Sequence, residues 1–493
     1  MQQLLGVSCG LDIHKDMIAA CILKARHCDT PEVIQEEFTT MRGDLFRLRD
    51  WVQSHGCMNV AMESTGVYWK PVYGILEEVD GMNLCLTNAY HMRNVPGRKN
   101  DEDDAEWIAA LFMCGLLNKS FVPERGIRDL REYTRYHVKL TQSRVRLLNR
   151  IEKLLQTHGF KLSSVLSSID GVSGQSILEK LGEQGEVSVS DVRSSLERGV
   201  KKTAEEIAYA INGKLPASSQ MLLRTMLDGL NSYDRQLADV FSDMMNIAQP
   251  YLPTVMLLAT IPGINILSAT CIIAEIGVDM SQFAKGAASL TKWAGLVPRD
   301  DKSAGKVISN KILKGNSYVK AMLCQCAWAA TKTRKTRPAN WYWSNVKRLG
   351  EKTAIIAVAR KLLVYVYNII TTQKPYDTQL DVADAERIKA KKLESAKRQI
   401  SMLESKVPEY GTVDGKDTHD ANKVEKTTKH NSGSKSEGQK SPVSSLDDLY
   451  RSVASNSITV GIDGQAPEPI STDMDDATQK KKRGRPKKIL QPG

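Results

Sequence analysis

Val7-Ser8-Cys9-Gly10-Leu11-Asp12-Ile13-His14-Lys15-Asp16-Met17-Ile18-Ala19-Ala20-Cys21-Ile22-Leu23 is the stretch on which the fold turns. Apolar residues cluster and alternate on either side of a short polar turn, His14-Lys15-Asp16, a pattern that predicts a strand, a tight turn and a second, antiparallel strand. Asp12 sits in the middle of the first run, where burial disfavours a charge unless something compensates it. Val60-Ala61-Met62 reads as another short buried strand ending on Glu63, followed by Ser64-Thr65-Gly66 and an amphipathic helix through Glu78. Leu84 to Thr87 is a further strand, and from Asp101 to Leu117 the period becomes helical, with Ala105, Ile108, Ala109 and Phe112 on one face. Strands interleaved with helices over about 120 residues imply a mixed α/β domain, taken as residues 1–125.

Downstream the pattern changes. No proline or glycine interrupts Arg128 to His158, and Leu130, Tyr133, His137, Leu140, Arg144, Leu147, Leu148, Ile151, Leu154 and Leu155 recur at helical spacing. This predicts a long helical, coiled-coil-like arm over 126–250, whose stripe packs either within the chain or, the favoured reading, against a second copy, with its later helices broken near Gly171, Gly174, Gly182 and Pro216. A mainly α unit follows over 251–376. Past Pro375 a charged helix, Asp381 to Lys406, leads into a Ser-, Lys-, Gly-, Asp- and Thr-rich tail with too few apolar residues to offset its chain entropy, so 377–493 is expected to end in disorder. The apolar run Thr353 to Thr371 carries Arg360 and Lys361 at its middle, which favours a buried helix over a membrane span.

Composition narrows the class. In 493 residues there are 68 Lys and Arg against 57 Asp and Glu, a formal charge of +11, which favours a polyanionic partner such as nucleic acid. Nine scattered cysteines without a C-x-x-C pair read as reduced, mostly buried thiols and not as a zinc site or disulfide frame. The first ten residues lack the features of a secretory signal, so a cytoplasmic protein without membrane attachment is expected.

Two acids, Asp12 and Glu63, end up on strands of one small domain, and a third element, Asn100-Asp101-Glu102-Asp103-Asp104-Ala105, places Asp101 and Asp104 three residues apart on one helical face. Four such oxygen donors can hold two Mg²⁺ ions, which prefer hard carboxylate ligands. A metal pair about 4 Å apart activates the attacking oxygen and stabilises the leaving one in phosphodiester displacement. An acidic first helical turn alone is also what the helix dipole favours; it is the combination with Asp12 and Glu63 that points to a shared cation.

Three blocks, Gly10-Leu11-Asp12-Ile13-His14-Lys15, Met62-Glu63-Ser64-Thr65-Gly66-Val67-Tyr68 and Arg98-Lys99-Asn100-Asp101 with Asp104-Ala105, resemble those of the RuvC-like DEDD transposases of insertion sequences, the IS-one-ten family. Asn100 stands where that family usually has Thr. The resemblance implies an RNase H/RuvC-like N-terminal domain that cuts or activates phosphodiesters with Mg²⁺ held by Asp12, Glu63, Asp101 and Asp104. The stretch from Ala259 to Thr331 looks like the family's second domain, whose serine, carried onto this chain, is Ser303 in Lys302-Ser303-Ala304-Gly305-Lys306. It departs from the usual Ser-Gly-Gly and from the Arg-rich strand that usually follows. The implied role of Ser303 is nucleophilic, with a covalent phosphoserine–DNA intermediate formed in a composite site between subunits of a homodimer or homotetramer. Some family members are guided by a non-coding RNA.

Lys306, Lys311 and Lys314 can neutralise phosphate; the alternative is a solvated basic face. The turn Ile261-Pro262-Gly263 before an apolar helix, Ile266 to Ile276, is either a phosphate contact at a helix N-terminus or a corner between helices. Near the end, Lys480-Lys481-Lys482-Arg483-Gly484-Arg485-Pro486-Lys487-Lys488 resembles an AT-hook, whose Arg483 and Arg485 enter an A·T-rich minor groove; a generic basic tail is the plainer reading. Two further functional readings stand beside a transposase: a Mg²⁺-dependent, structure-selective nuclease of junction-resolvase type that makes no use of Ser303, and a DNA-binding protein that has lost catalysis.

Overall fold

The computed structural model describes residues 4–25, 31–64, 66–88, 104–298, 301–303, 306–309 and 311–404. Alternation at the N-terminus gives two antiparallel strands, β1 (Val7–Ile13) and β2 (Met17–Lys24), paired from Val7↔Lys24 to Ile13↔Ile18. Asp12 is the penultimate residue of β1, closer to its end than the sequence suggested. Two elements were not read in advance: β3 (Glu32–Thr39), a polar edge strand with Phe38 as its buried residue, and α1 (Arg42–Ser54), which buries Leu45, Leu48 and Val52. Then come β4 (Asn59–Glu63), α2 (Trp69–Leu76), β5 (Asn83–Thr87) and α3 (Asp104–Met113). The sheet order is β3-β2-β1-β4-β5, antiparallel among the first three and parallel from β1 through β5.

Strand parity assigns the two faces. Cys9, Leu11 and Ile13 join Leu45, Leu48 and Val52 of α1 and Val72 and Leu76 of α2 in one core. The opposite residues, with Cys21 and Leu23 of β2 and Ala61 of β4, pack against Ala105, Ile108, Ala109 and Met113 of α3. Helix α3 stops at Met113 and not at Leu117 because Gly115 adopts a left-handed conformation (φ 67°) that ends it.

The chain divides into two compact units. Among the described residues, one comprises those within 1–131, 261–263 and 272–378; the other comprises those within 132–260, 264–271 and 379–404. In the second unit, helix α4 (Arg125–Thr157, entering at Glu132) is followed by α5 (Leu162–Val165), α6 (Val172–Gln184), α7 (Val189–Ser195), α8 (Ala204–Ala210) and α9 (Ala217–Ile247). Ile151 and Leu155 of α4 share a core with Leu178 and Leu181 of α6 and with Leu223, Leu227 and Leu230 of α9. This part of the stripe therefore finds its partners inside the chain, not in a second copy. Gly174 and Gly182 do not break the helix. They lie within α6, where a Cβ would meet Ile169 O at 2.4 Å and Arg224 Cγ at 3.1 Å, so both mark close approaches. Helices α7 and α8 begin at capping boxes, Ser188 with Asp191 and Thr203 with Glu206.

After α10 (Leu252–Leu258), helix α11 spans Ile266–Ile276 as its apolar period predicts. Gly263 (φ 88°) turns the chain where a Cβ would lie 2.5 Å from Cys326 O and Ala330 N, and Asn265 Oδ1 accepts from Ser268 N at 2.9 Å. The turn is thus a tight corner before a helix that caps itself. The rest of the first unit holds α12 (Ala287–Trp293), the hairpin β6 (Asp301–Ser303) and β7 (Lys306–Ser309), α13 (Ser317–Lys332), α14 (Arg337–Leu349) and α15 (Glu351–Thr372). Phe121, just before α4, packs with Phe283 and Trp293 at centroid distances of 5.4 and 5.6 Å, which ties the α/β sheet region to these later helices. Helix α15 is long and apolar enough to cross a membrane, yet it buries Ile355, Val358, Leu362, Leu363 and Val366 in this unit and carries Arg360 and Lys361. The charged helix expected after Pro375 is α16 (Gln379–Glu404). Six cysteines are buried among the described residues, and Cys114 and Cys324 are half-buried.

Candidate functional site

The parallel pairing of β1 with β4 runs Cys9↔Val60, Gly10↔Ala61 and Leu11↔Met62, so the next position on each strand is Asp12 beside Glu63. Neighbouring strands are about 4.8 Å apart and in-register residues of parallel strands face the same way, which puts both carboxylates on one face at adjacent strand ends. That face is the one α3 covers. Ser8 Oγ donates to Ala109 O at 3.0 Å, and a Cβ on Gly10 would meet Ala105 O at 2.1 Å and Ala109 N at 2.4 Å. Two residues along β1 correspond to one turn of α3 running the other way, so the N-terminal end of α3, which begins at Asp104, lies toward Asp12. The helix N-terminus carries partial positive charge and so favours the acids gathered near it.

Within this row Asp12 Oδ2 is 3.0 Å from His14 Nε2, and the Asp12 side chain is 24% exposed, accessible but not fully solvated. On the other side, Glu63 pairs with Thr87 of β5. Thr87 is fully buried, and its Oγ1 has no hydrogen-bond partner among the described residues. An orphaned hydroxyl beside a carboxylate pair is a place where a further polar ligand is expected. The row Asp12, Glu63, Thr87 is entirely oxygen chemistry, which suits a hard divalent cation.

The other expected residues are distributed as follows. Asp104 opens α3 and is exposed; Asp101 lies outside the described residues. Among the described residues no group of three or more His, Cys, Asp or Glu side chains is gathered closely enough to hold a metal ion. Ser303 was expected in an irregular polar loop. It is instead the last residue of β6, paired with Lys306 of β7. The β-branched pair Val307-Ile308 explains why a strand forms there. Lys311 and Lys314 are exposed beyond the hairpin. Arg483 and Arg485 lie outside the described residues. Sequence reasoning missed Gly10 and Thr87 as parts of the site; the glycine two residues before Asp12 was the available signal for a close backbone approach.

Comparison with known proteins fits this geometry. A DEDD transposase family model of IS110 type matches residues 9–159, and the model described as Transposase IS116/IS110/IS902 family matches residues 255–343. The chain belongs to the IS110 family of transposases. These transposases cleave and join DNA, and the two matched segments contain, respectively, the carboxylate row and the Ser303 hairpin. The chain is also 23% identical over 306 residues to the transposase for insertion sequence element IS1111A of Coxiella burnetii (strain RSA 493 / Nine Mile phase I), covering 60% of this chain and 73% of that protein.

Proposed function

We propose that Asp12 and Glu63, with Asp101 and Asp104, hold divalent cations, Mg²⁺ in two sites, and that this centre and Ser303 together carry out strand cleavage and exchange at the ends of an insertion sequence. The observation that carries the reading is the placing of Asp12 and Glu63 side by side on the face covered by α3, beside the unpaired Thr87 hydroxyl. Bound there, the cations would lower the pKa of an attacking oxygen and stabilise a leaving one. The chain's own residues do the rest. Asp12 and Glu63 fix the ligand geometry from rigid strands, Gly10 lets α3 approach closely enough to bring its acidic end to them, and His14 holds the Asp12 carboxylate in place.

In the strand-exchange step, Ser303 Oγ forms a bond to phosphorus as the phosphodiester P–O bond to deoxyribose breaks. The serine proton passes to a base and the departing oxygen takes one up. The reverse step, with the hydroxyl of a different strand, rejoins the backbone and frees Ser303. A serine hydroxyl is a weak nucleophile at its ordinary pKa, so it depends on such activation. Lys306, Lys311 and Lys314 are assigned to phosphate neutralisation and Arg483 and Arg485 to the minor groove. Residues 1–125 and 251–376 are assigned as the domains bearing the two parts of the site, assembled in a homodimer or homotetramer. An element-encoded RNA is assigned to selection of donor and target, with soluble, cytoplasmic action.

Trapping tests this reading. Radiolabelled element-end DNA quenched in detergent during reaction should migrate covalently attached to the wild-type protein, and Ser303→Ala should give no adduct. If Ser303→Ala still joins strands at the wild-type rate, the serine chemistry is wrong and a metal-only nuclease remains.

A further inference from the structure

Between Asp301 and Glu351 the chain carries eleven lysines and arginines and no acidic residue. Part of this charge falls on Lys306, Lys311 and Lys314. A second group, Lys332, Arg334 and Lys335, lies in and beside the turn that joins α13 to α14, and all three are exposed. Lys335 holds a left-handed backbone conformation (φ 67°), which a non-glycine residue adopts only at a cost and which is concentrated at functional turns.

Two large indoles stand on the same helix pair. Trp328 is 43% exposed and Trp343 is 63% exposed, unusual for the largest apolar side chain. Both are held, not loose. Tyr342, buried beneath them, meets Trp328 edge-on at 6.2 Å and Trp343 at 5.1 Å, and Trp343 Nε1 donates to Thr331 O at 3.2 Å. Rigid aromatic faces on two helices whose joining turn is cationic are a combination that binds single-stranded nucleic acid, the cations following phosphates and the rings stacking on bases; Glu351, whose charge reaches Tyr342, is the acid that bounds the segment. A surface built to be covered by another protein has a core depleted in charge, whereas here three exposed cations lie in and beside the turn between the two indole-bearing helices. A DNA duplex keeps its bases inside its stack, so it offers the phosphates but not the ring faces.

We propose that Trp328 and Trp343, with Lys332, Arg334 and Lys335, form a binding site for an unpaired DNA strand. The site is independent of the carboxylate centre, and its test needs no metal. Full-length protein is titrated, with EDTA present, into a fluorescently labelled oligothymidine strand, a hairpin duplex of similar length, and an oligouridine strand, with binding read by anisotropy. Trp343→Ala and Trp328→Ala are each expected to weaken binding of the single DNA strand by about tenfold. Trp343→Phe should retain most of the affinity because a ring remains, and duplex binding should change less than twofold in all three variants. Lys332→Ser/Arg334→Ser, altered only at exposed positions, should weaken single-strand binding and reduce its salt dependence.

Three results would overturn the proposal. The first is unchanged single-strand affinity in the Trp328→Ala/Trp343→Ala double variant, above all if sedimentation then shows an altered oligomeric state, which would make the face a contact between copies. The second is an equal loss on strand and duplex in both the alanine and the serine variants, which would mean a generic phosphate surface. The third is tighter binding of oligouridine than of oligothymidine, which would assign the platform to RNA.

Discussion

Gly10 lacks a side chain at the point where β1 passes beneath α3, and a methyl group there would fall 2.1 Å from a backbone oxygen and 2.4 Å from a backbone nitrogen. Backbone cannot step aside as a flexible side chain can. Gly10→Ala is therefore expected to destabilise the sheet region by about 1–3 kcal/mol or more, read as a lowered denaturation midpoint, and to lower DNA cleavage by lifting α3 away from Asp12. Gly43→Ala, which meets nothing within 4 Å, is the matched control and should have little effect. Thiol chemistry offers a second check at this scale. Burial pushes the Cys9 thiol well up, and pushes that of Cys57 up to about 11. Both should resist alkylation at neutral pH in the native protein and react once it is unfolded, as native-state labelling followed by mass spectrometry would show. The residues of the site were legible in unequal measure. Asp12 and Glu63 stood out because a charge within or closing an apolar run needs a reason, whereas Thr87 could not be picked out because its significance is the register Glu63↔Thr87, which pairing alone creates.

Among the elements, the strands and helices with strong period were readable. α11 matches its expected bounds, and the hydrophobic stripe of α4 was visible at once. β3 was not, because an edge strand keeps its polar residues and buries little. Which partner the α4 stripe meets was open in the sequence, since a periodic pattern says that a helix has a partner but not which one; Ile151 and Leu155 meet theirs inside the chain. Arg144 illustrates how the partner is fixed. It lies on α4 and makes paired hydrogen bonds to Asp170 at 2.6 and 2.8 Å, and to Asp234 of α9 at 2.5 and 3.0 Å. Burial works against its charge, but the hydrogen bonds it donates to Asp170 and Asp234 outweigh that and hold its pKa above the ordinary arginine value. Removing the guanidinium leaves two carboxylates without their cation. Arg144→Ala should cost about 2–3 kcal/mol, below the ~3–5 of a fully buried pair because Asp234 is 41% exposed, measured by denaturant titration. Arg144→Lys, which cannot hold two carboxylates bidentately, should recover part of that loss.

At the scale of the whole molecule, the two segments that match transposase families are separated by nearly a hundred residues of helix, yet residues 1–131 and 272–378 belong to one compact unit. Arg131 contributes to this. It donates to Ala274 O and Glu275 O at 2.9 and 2.8 Å, and the buried Glu275 carboxylate in turn accepts from Asn316 Nδ2 at 2.6 Å, at the start of α13. The sequence could name both segments by their motifs but could not show that they share a unit, because contacts of such separation leave no local pattern. The basic end of the chain belongs to this scale too. Replacing Arg483 and Arg485 by Ala should lower affinity for A·T-rich duplex and flatten its salt dependence by roughly one ion per lost phosphate contact, while cleavage at saturating DNA stays unchanged.

The central claim is that Asp12 and Glu63 act as one centre for divalent cations, and it is tested most directly by the rate of element-end DNA cleavage by the full-length protein across a Mg²⁺ titration, wild type against Glu63→Gln. Wild-type cleavage should rise with Mg²⁺ and vanish in chelator, while Glu63→Gln should be slower by about a thousandfold with no recovery at high Mg²⁺. A Glu63→Gln protein that cleaves at the wild-type rate, with the same Mg²⁺ dependence, would contradict the account.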